Sequence, residues 1–128
     1  MLIKCNKIIS PVTKEDLGEK SPWLTQGKEY VVLALNVSSK FGIEVCIQTD
    51  HYKEPRYITL DGFEVISQKI PRVWITLMRD LDDEKIIDLI PKSWSYDDFF
   101  NELADENPEA LVLFNKEAEL IYREEGKT

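Results

Sequence analysis

Few side chains in this 128-residue chain could carry chemistry: one histidine, two cysteines and some clustered carboxylates. His51 lies in His51-Tyr52-Lys53-Glu54-Pro55-Arg56. A general base needs an orienting partner and a nucleophile or water within reach. No Ser or Cys stands beside His51 in sequence, and Cys46 meets it only if the fold brings them together. His51 therefore reads as a solvated loop residue. Cys5 and Cys46 are too few for a four-thiolate metal site, and a single His adds little. Cys46 alternates with branched residues, which is the spacing of a packed strand position. Asp82-Asp83-Glu84 and Asp97-Asp98 lack the glycine and the spaced ligand series of a calcium loop. A catalytic carboxylate pair needs burial to separate its two pKa values, and these clusters read as a turn and a helix start. No catalytic residue, metal site or cofactor is expected.

Two surfaces could bind a macromolecule. Tyr52, Lys53, Arg56 and Tyr57 interleave aromatic and basic groups, with Lys40 nearby, as a single-stranded nucleic-acid platform would. The formal net charge of −8 opposes that reading. The other surface is acidic. Residues 79–128 hold 15 Asp and Glu against 6 Lys and Arg, whereas residues 1–78 hold 9 against 10. Such asymmetry repels nucleic acid and anionic membrane and attracts basic proteins. Trp94 and Tyr96 stand among Asp97, Asp98, Glu102, Asp105 and Glu106. Charge that steers encounter, combined with aromatics that hold the complex, suits a protein interface. These seven residues are the candidate partner-binding set. Trp94 has a second reading, as a core anchor clamping the helices to the strands.

The elements that must position these residues follow from apolar spacing. Strands are expected at Leu2–Ile9, stopped by Ser10-Pro11, and at Tyr30–Val37, where both faces are apolar as in a central strand. From Phe41 to Asp50 the alternation puts Phe41, Ile43, Val45 and Ile47 inward and Glu44, Gln48 and Asp50 outward. One helical turn is expected around Glu15–Leu17. Asp61-Gly62 between Arg56–Leu60 and Phe63–Ser67 signals a hairpin. Val73, Ile75 and Leu77 alternate as another strand, and Leu81–Glu84 reads as a turn. Lys85–Ile90 fits a closing strand better than a six-residue helix, which would be marginal by itself. After Pro91 the pattern becomes helical. Ser95 with Asp98 gives one start, and Asn107-Pro108 gives a second. Leu111, Phe114, Ala118, Ile121 and Tyr122 follow at helical spacing, and Gly126 ends the run.

The expected fold is α+β in one domain, 1–128: about six short, mostly antiparallel strands over 1–91, closing into a small barrel or strongly bent sheet, then one or two acidic helices over 92–128. The longest apolar run, Tyr30–Leu35, is too short for a membrane span, and the start lacks a secretory-type apolar segment. The reading is a soluble cytoplasmic protein with reduced cysteines; its oligomeric state is left open.

Trp23-Leu24-Thr25-Gln26-Gly27-Lys28-Glu29-Tyr30-Val31-Val32-Leu33 resembles the opening of a group of small bacterial proteins. Pro91-Lys92-Ser93-Trp94, Phe99-Phe100 and Asn107-Pro108-Glu109-Ala110 resemble their ending. These are immunity proteins of contact-dependent growth inhibition and related polymorphic toxin systems. The likeness covers residues 23–122. It implies an SH3-like small barrel with C-terminal helices, no enzymatic activity, and neutralisation of a cognate toxin domain by binding, commonly a nuclease with a basic cleft. It carries over no site residue, because contact positions vary with each toxin. Two rivals remain: a nucleic-acid-binding or protein-interaction module, and a hydrolase using Cys46 or His51.

Overall fold

The structure is a computed structural model that describes residues 1–128 apart from Pro11, Glu19, Lys20 and Thr128. Among the described residues, eight strands are followed by helices. The strands are β1 (Leu2–Cys5), β2 (Glu29–Val31), β3 (Ala34–Ser38), β4 (Gly42–Gln48), β5 (Pro55–Thr59), β6 (Phe63–Ser67), β7 (Trp74–Leu81) and β8 (Glu84–Pro91). A 3-10 turn at Lys92–Trp94 leads to α1 (Phe99–Ala104) and α2 (Pro108–Glu124). The strands form a three-stranded sheet, β2-β1-β6, and a five-stranded sheet, β5-β4-β3-β8-β7; all pairs are antiparallel. The α+β class and the order of strands before helices are as expected. The sheets do not close into a barrel, which corrects that part of the expectation.

The expected Tyr30–Val37 strand is the reason there are two sheets. It is split into β2 and β3, and the break falls between Val32 and Leu33. The Val32 N–H donates to Met1 in the small sheet at 2.9 Å, and the Leu33 N–H donates to Cys46 in the large sheet at 2.8 Å. Both side chains are fully buried, so apolar character on both faces marks a chain passing between layers as well as a central strand. Trp74 fixes the crossing, its indole Nε1 donating to the Leu33 carbonyl at 2.8 Å.

Asp61-Gly62 also turns the chain, but not into a hairpin. β5 pairs with β4, and β6 pairs with β1, so the turn is a corner between sheets. The Phe63 N–H donates to the Leu60 carbonyl at 3.1 Å, and Gly62 alone of the two central residues has positive φ, +86°. Local turn chemistry set the reversal; which strands it joined was a tertiary matter.

Other expectations fare unevenly. Lys85–Ile90 lies within β8, whose hairpin with β7 runs from Trp74↔Pro91 to Leu81↔Glu84. The first strand ends at Cys5, and Glu15–Leu17 makes no helical turn; Asp16 instead bridges to Ile9. Pro11, expected to break that strand, lies outside the described residues. Asn107 caps α2 as expected, its side chain accepting from the N–H groups of Glu109 and Ala110 with Pro108 at the first helical position. Ser95 caps no helix: its hydroxyl donates to the Lys92 carbonyl, and α1 starts after Asp98 without a side-chain cap. Ala110, Phe114, Ala118 and Ile121 are the residues α2 buries. No helix among the described residues is long and apolar enough to cross a membrane.

Candidate functional site

The large sheet has one face that is polar in its upper half. Register aligns Thr59, Glu44, Asn36, Asp88 and Leu77 in a row across all five strands. Directly opposed residues of antiparallel strands share a face. The adjacent row carries Tyr57 opposite Cys46 and, on β8 and β7, Ile90 opposite Ile75. The helical segment covers this second row: Phe100 meets Tyr57 edge-to-face with centroids 5.4 Å apart. Between the polar row and the helical segment lies a cavity of about 340 Å³, lined from the sheet by Asn36, Glu44, Tyr57, Arg79 and Asp88 and from the helical side by Tyr96, Asp97 and Phe100.

Asp88 organises the floor. It is buried, and its two oxygens accept from Asn36 Nδ2 at 2.6 Å and Arg79 Nη2 at 2.7 Å. A buried carboxylate persists only when paired and hydrogen-bonded in this way. Burial is the main cause raising the Tyr57 phenol well above its ordinary range, and the nearby Cys46 thiol and Asp88 carboxylate add to it. Glu44, expected to face solvent from a half-exposed strand, is half-buried and looks into the cavity instead. The inward assignment of Phe41 and Ile43 is also corrected: they are 65% and 44% exposed, whereas Val45, Cys46 and Ile47 are fully buried. The reason is that β4 buries both faces in its second half only, where helices and the small sheet cover it.

The candidate interface residues divide. Trp94 is 1% exposed, stacked on Phe99 and Phe114 at centroid distances of 5.5 and 4.9 Å, with its Nε1 donating to the Leu113 carbonyl. It offers a partner no surface, and the core-anchor reading replaces the contact reading. Its closest neighbours in the set build on that anchor. Tyr96 is 43% exposed and its hydroxyl donates to Glu102 Oε2 at 2.6 Å, a bond that chiefly pushes the phenol up to about 12. Asp97, Asp98, Asp105 and Glu106 are exposed, and Glu102 is half-buried. Tyr96 and Asp97 reach the cavity; Glu106 instead lines a separate groove between β5 and the helices.

Sequence reasoning missed Asn36, Glu44, Arg79 and Asp88 as a group. One signal was present: Asp88 interrupts the apolar run Ile86-Ile87-Asp88-Leu89-Ile90, and a carboxylate inside such a run calls for a partner.

The rival sites look different in three dimensions. Cys46 is buried, and desolvation pushes its thiol up to about 12, so it remains protonated at neutral pH and is a poor nucleophile. His51 is packed between the rings of Trp23 and Tyr52, at 4.7 and 4.5 Å. Tyr57 and Arg56 are successive strand residues, yet Tyr52, Lys53, Arg56 and Tyr57 all line the groove between β5 and the helices, together with the acidic Glu54 and Glu106. Arg56 pairs with Glu54 at 3.0 Å and lies over the Trp23 ring. A second groove of about 820 Å³ runs between β2 and α2, but most of its charges are internally matched: Lys28 with Asp50, Lys127 with Glu29 and Arg123 with Glu119. Among the described residues, no group of three or more His, Cys, Asp or Glu is arranged to hold a metal ion.

Fold and cavity together define a small α+β protein of two antiparallel sheets with C-terminal helices and a polar cleft on the larger sheet. No protein-family model, curated protein or solved structure matches the chain.

Proposed function

We propose that this chain is a non-enzymatic immunity protein that binds and neutralises a cognate bacterial toxin domain, a basic one such as a nuclease, in the cytoplasm. The observation that carries the reading is the exposed acidic surface at the start of the helical segment, where Tyr96, Asp97, Asp98, Asp105 and Glu106 are displayed on a frame clamped by buried Trp94. The frame matters because a surface held rigid before binding loses little entropy on docking. The charge matters because it speeds encounter with a basic partner. The resemblance of residues 23–122 to immunity proteins supports the same reading, and it requires no catalytic residue, metal or cofactor.

The partner is sought first by pulling down the product of the adjacent gene with this protein as bait. The mechanism is then tested by the triple change Asp98→Lys, Asp105→Lys, Glu106→Lys. The association rate constant with the toxin should fall at least tenfold at low salt, and its salt dependence should flatten. Unchanged association at every salt concentration would refute docking through this surface.

A further inference from the structure

The cavity beside Tyr96 has an uneven inventory of free polar groups. Three of its donors are used internally: Asn36 Nδ2 and Arg79 Nη2 both donate to Asp88, and the Tyr96 hydroxyl donates to Glu102. Two of its carboxylates have no such partner. Among the described residues, the carboxylates of Glu44 and Asp97 form no ion pair or side-chain hydrogen bond, and neither does the Asn36 side-chain oxygen or the Tyr57 hydroxyl. A cavity with two unpaired carboxylates in its lining is matched by a cationic ligand rich in donors. Among charged side chains, guanidinium and ammonium groups carry donors and no acceptor. The shape selects between them. Phe100 and the exposed ring of Tyr96 form an aromatic side to the space, and Tyr57 meets Phe100 edge-to-face at its base. A planar, weakly hydrated guanidinium stacks on such faces while its N–H fork reaches carboxylates; a compact, strongly hydrated ammonium gains less from both.

We infer that this cavity is a binding site for an arginine side chain presented by the protein partner, with the guanidinium held by Glu44 and Asp97 against the rings of Tyr96 and Phe100. The inference rests on the docking reading above and deepens it: the acidic rim steers the partner, and the cavity supplies an anchor for one arginine. Arg79 does not fill that role, because Asp88 holds it at the floor with both Asp88 oxygens engaged.

The test needs no toxin. N-acetyl-arginine methylamide is titrated into the isotope-labelled full chain at low salt and followed by amide chemical shifts, alongside the lysine and citrulline counterparts. The expected result is saturable shifts centred on Asn36, Glu44, Tyr96 and Asp97, with a dissociation constant in the millimolar range. Arginine should bind at least three times more tightly than lysine, and citrulline should not saturate. Glu44→Gln and Asp97→Asn should each weaken arginine binding three- to tenfold with the rest of the spectrum unmoved, which separates loss of the site from loss of the fold. Shifts that do not saturate, equal uptake of lysine or citrulline, or indifference to both substitutions would overturn the inference. Because the lysine triple variant probes the rim and leaves Glu44 and Asp97 intact, the two ideas fail separately. Loss of arginine binding with intact rim steering removes only the cavity's role, whereas arginine binding without any rim effect on toxin association removes only the docking mechanism.

Discussion

Gly62→Ala should destabilise the protein by far more than a single methyl group suggests. Gly62 sits at the corner joining the two sheets with φ +86°. A Cβ there would lie 2.4 Å from the Lys7 carbonyl oxygen and 2.9 Å from Ile9 Cγ1. The carbonyl oxygen belongs to the backbone and cannot swing away as the end of a side chain could. The same glycine's carbonyl accepts the N–H groups of Asn6 and Lys7, both at 2.9 Å, so any shift that relieves the contact stretches these bonds. The left-handed conformation costs an L-residue about 1–2 kcal/mol. Weakening two backbone hydrogen bonds costs about 1 kcal/mol each. The expected loss is therefore about 3–4 kcal/mol, a large share of the 5–15 kcal/mol typical of a domain. Gly27 supplies the control: its φ is +85°, but an added Cβ meets nothing within 4 Å. Gly27→Ala should cost only the conformational part, about 1–2 kcal/mol. Urea unfolding of both variants, followed by tryptophan fluorescence, separates the two contributions as a difference in midpoint at constant slope. Equal losses for the two substitutions would refute the argument that the Lys7 backbone closes the space around Gly62.

Asp88→Ala should cost about 2–3 kcal/mol, because it strands the Asn36 amide and part of the Arg79 charge on the sheet, and the loss is read from the same urea curves. Asn107→Ala should cost about 1 kcal/mol by removing the α2 cap, with the amides of Glu109 and Ala110 losing hydrogen-exchange protection first. Cys46 should react with a thiol reagent at pH 7 far more slowly than a free cysteine and should gain reactivity as urea opens the protein, since burial holds its thiol up to about 12 in the folded state and leaves almost no thiolate there. Acid should weaken the fold partly through Asp50. Desolvation acts to raise that carboxyl, but hydrogen bonds from Lys28, Thr25 and Tyr30 outweigh it and hold the pKa below its ordinary 3.8. A depressed carboxyl contributes stability that is complete above the unfolded pKa and is lost as pH falls through the folded one. Asp50→Asn should therefore flatten the acid side of the stability profile below about pH 4 and leave its shape near neutrality unchanged.

The legible parts of this protein were those set by neighbours in sequence. Asn107-Pro108 announced α2 because an N-cap side chain and the following proline act within one turn. Val73 to Leu77 and Lys85 to Ile90 announced their strands by alternation and by apolar content bounded by turns. Asp61-Gly62 announced a reversal because glycine alone tolerates its φ. What escaped was partner choice. The Asp61-Gly62 corner looked like a hairpin, and the crossing at Val32-Leu33 looked like one strand, since neither pattern records which sheet each flank joins. The candidate site was half visible. Tyr96 and Asp97 stood out by their acidic context, but Asn36, Glu44, Arg79 and Asp88 are spread over four strands and became a cluster only through register.

By itself, then, the sequence determined the α+β class, the α2 start, the two-residue turns and the acidic bias of the last third, all of which depend on local backbone preferences or on summed charge. The tertiary structure decided that the strands form two open sheets, that Trp94 faces the core rather than a partner, and that unmatched acceptors gather in a cleft beside Tyr96. Those outcomes depend on which strands lie side by side and which faces they cover, and such long-range pairings leave no mark in the spacing of residues along the chain.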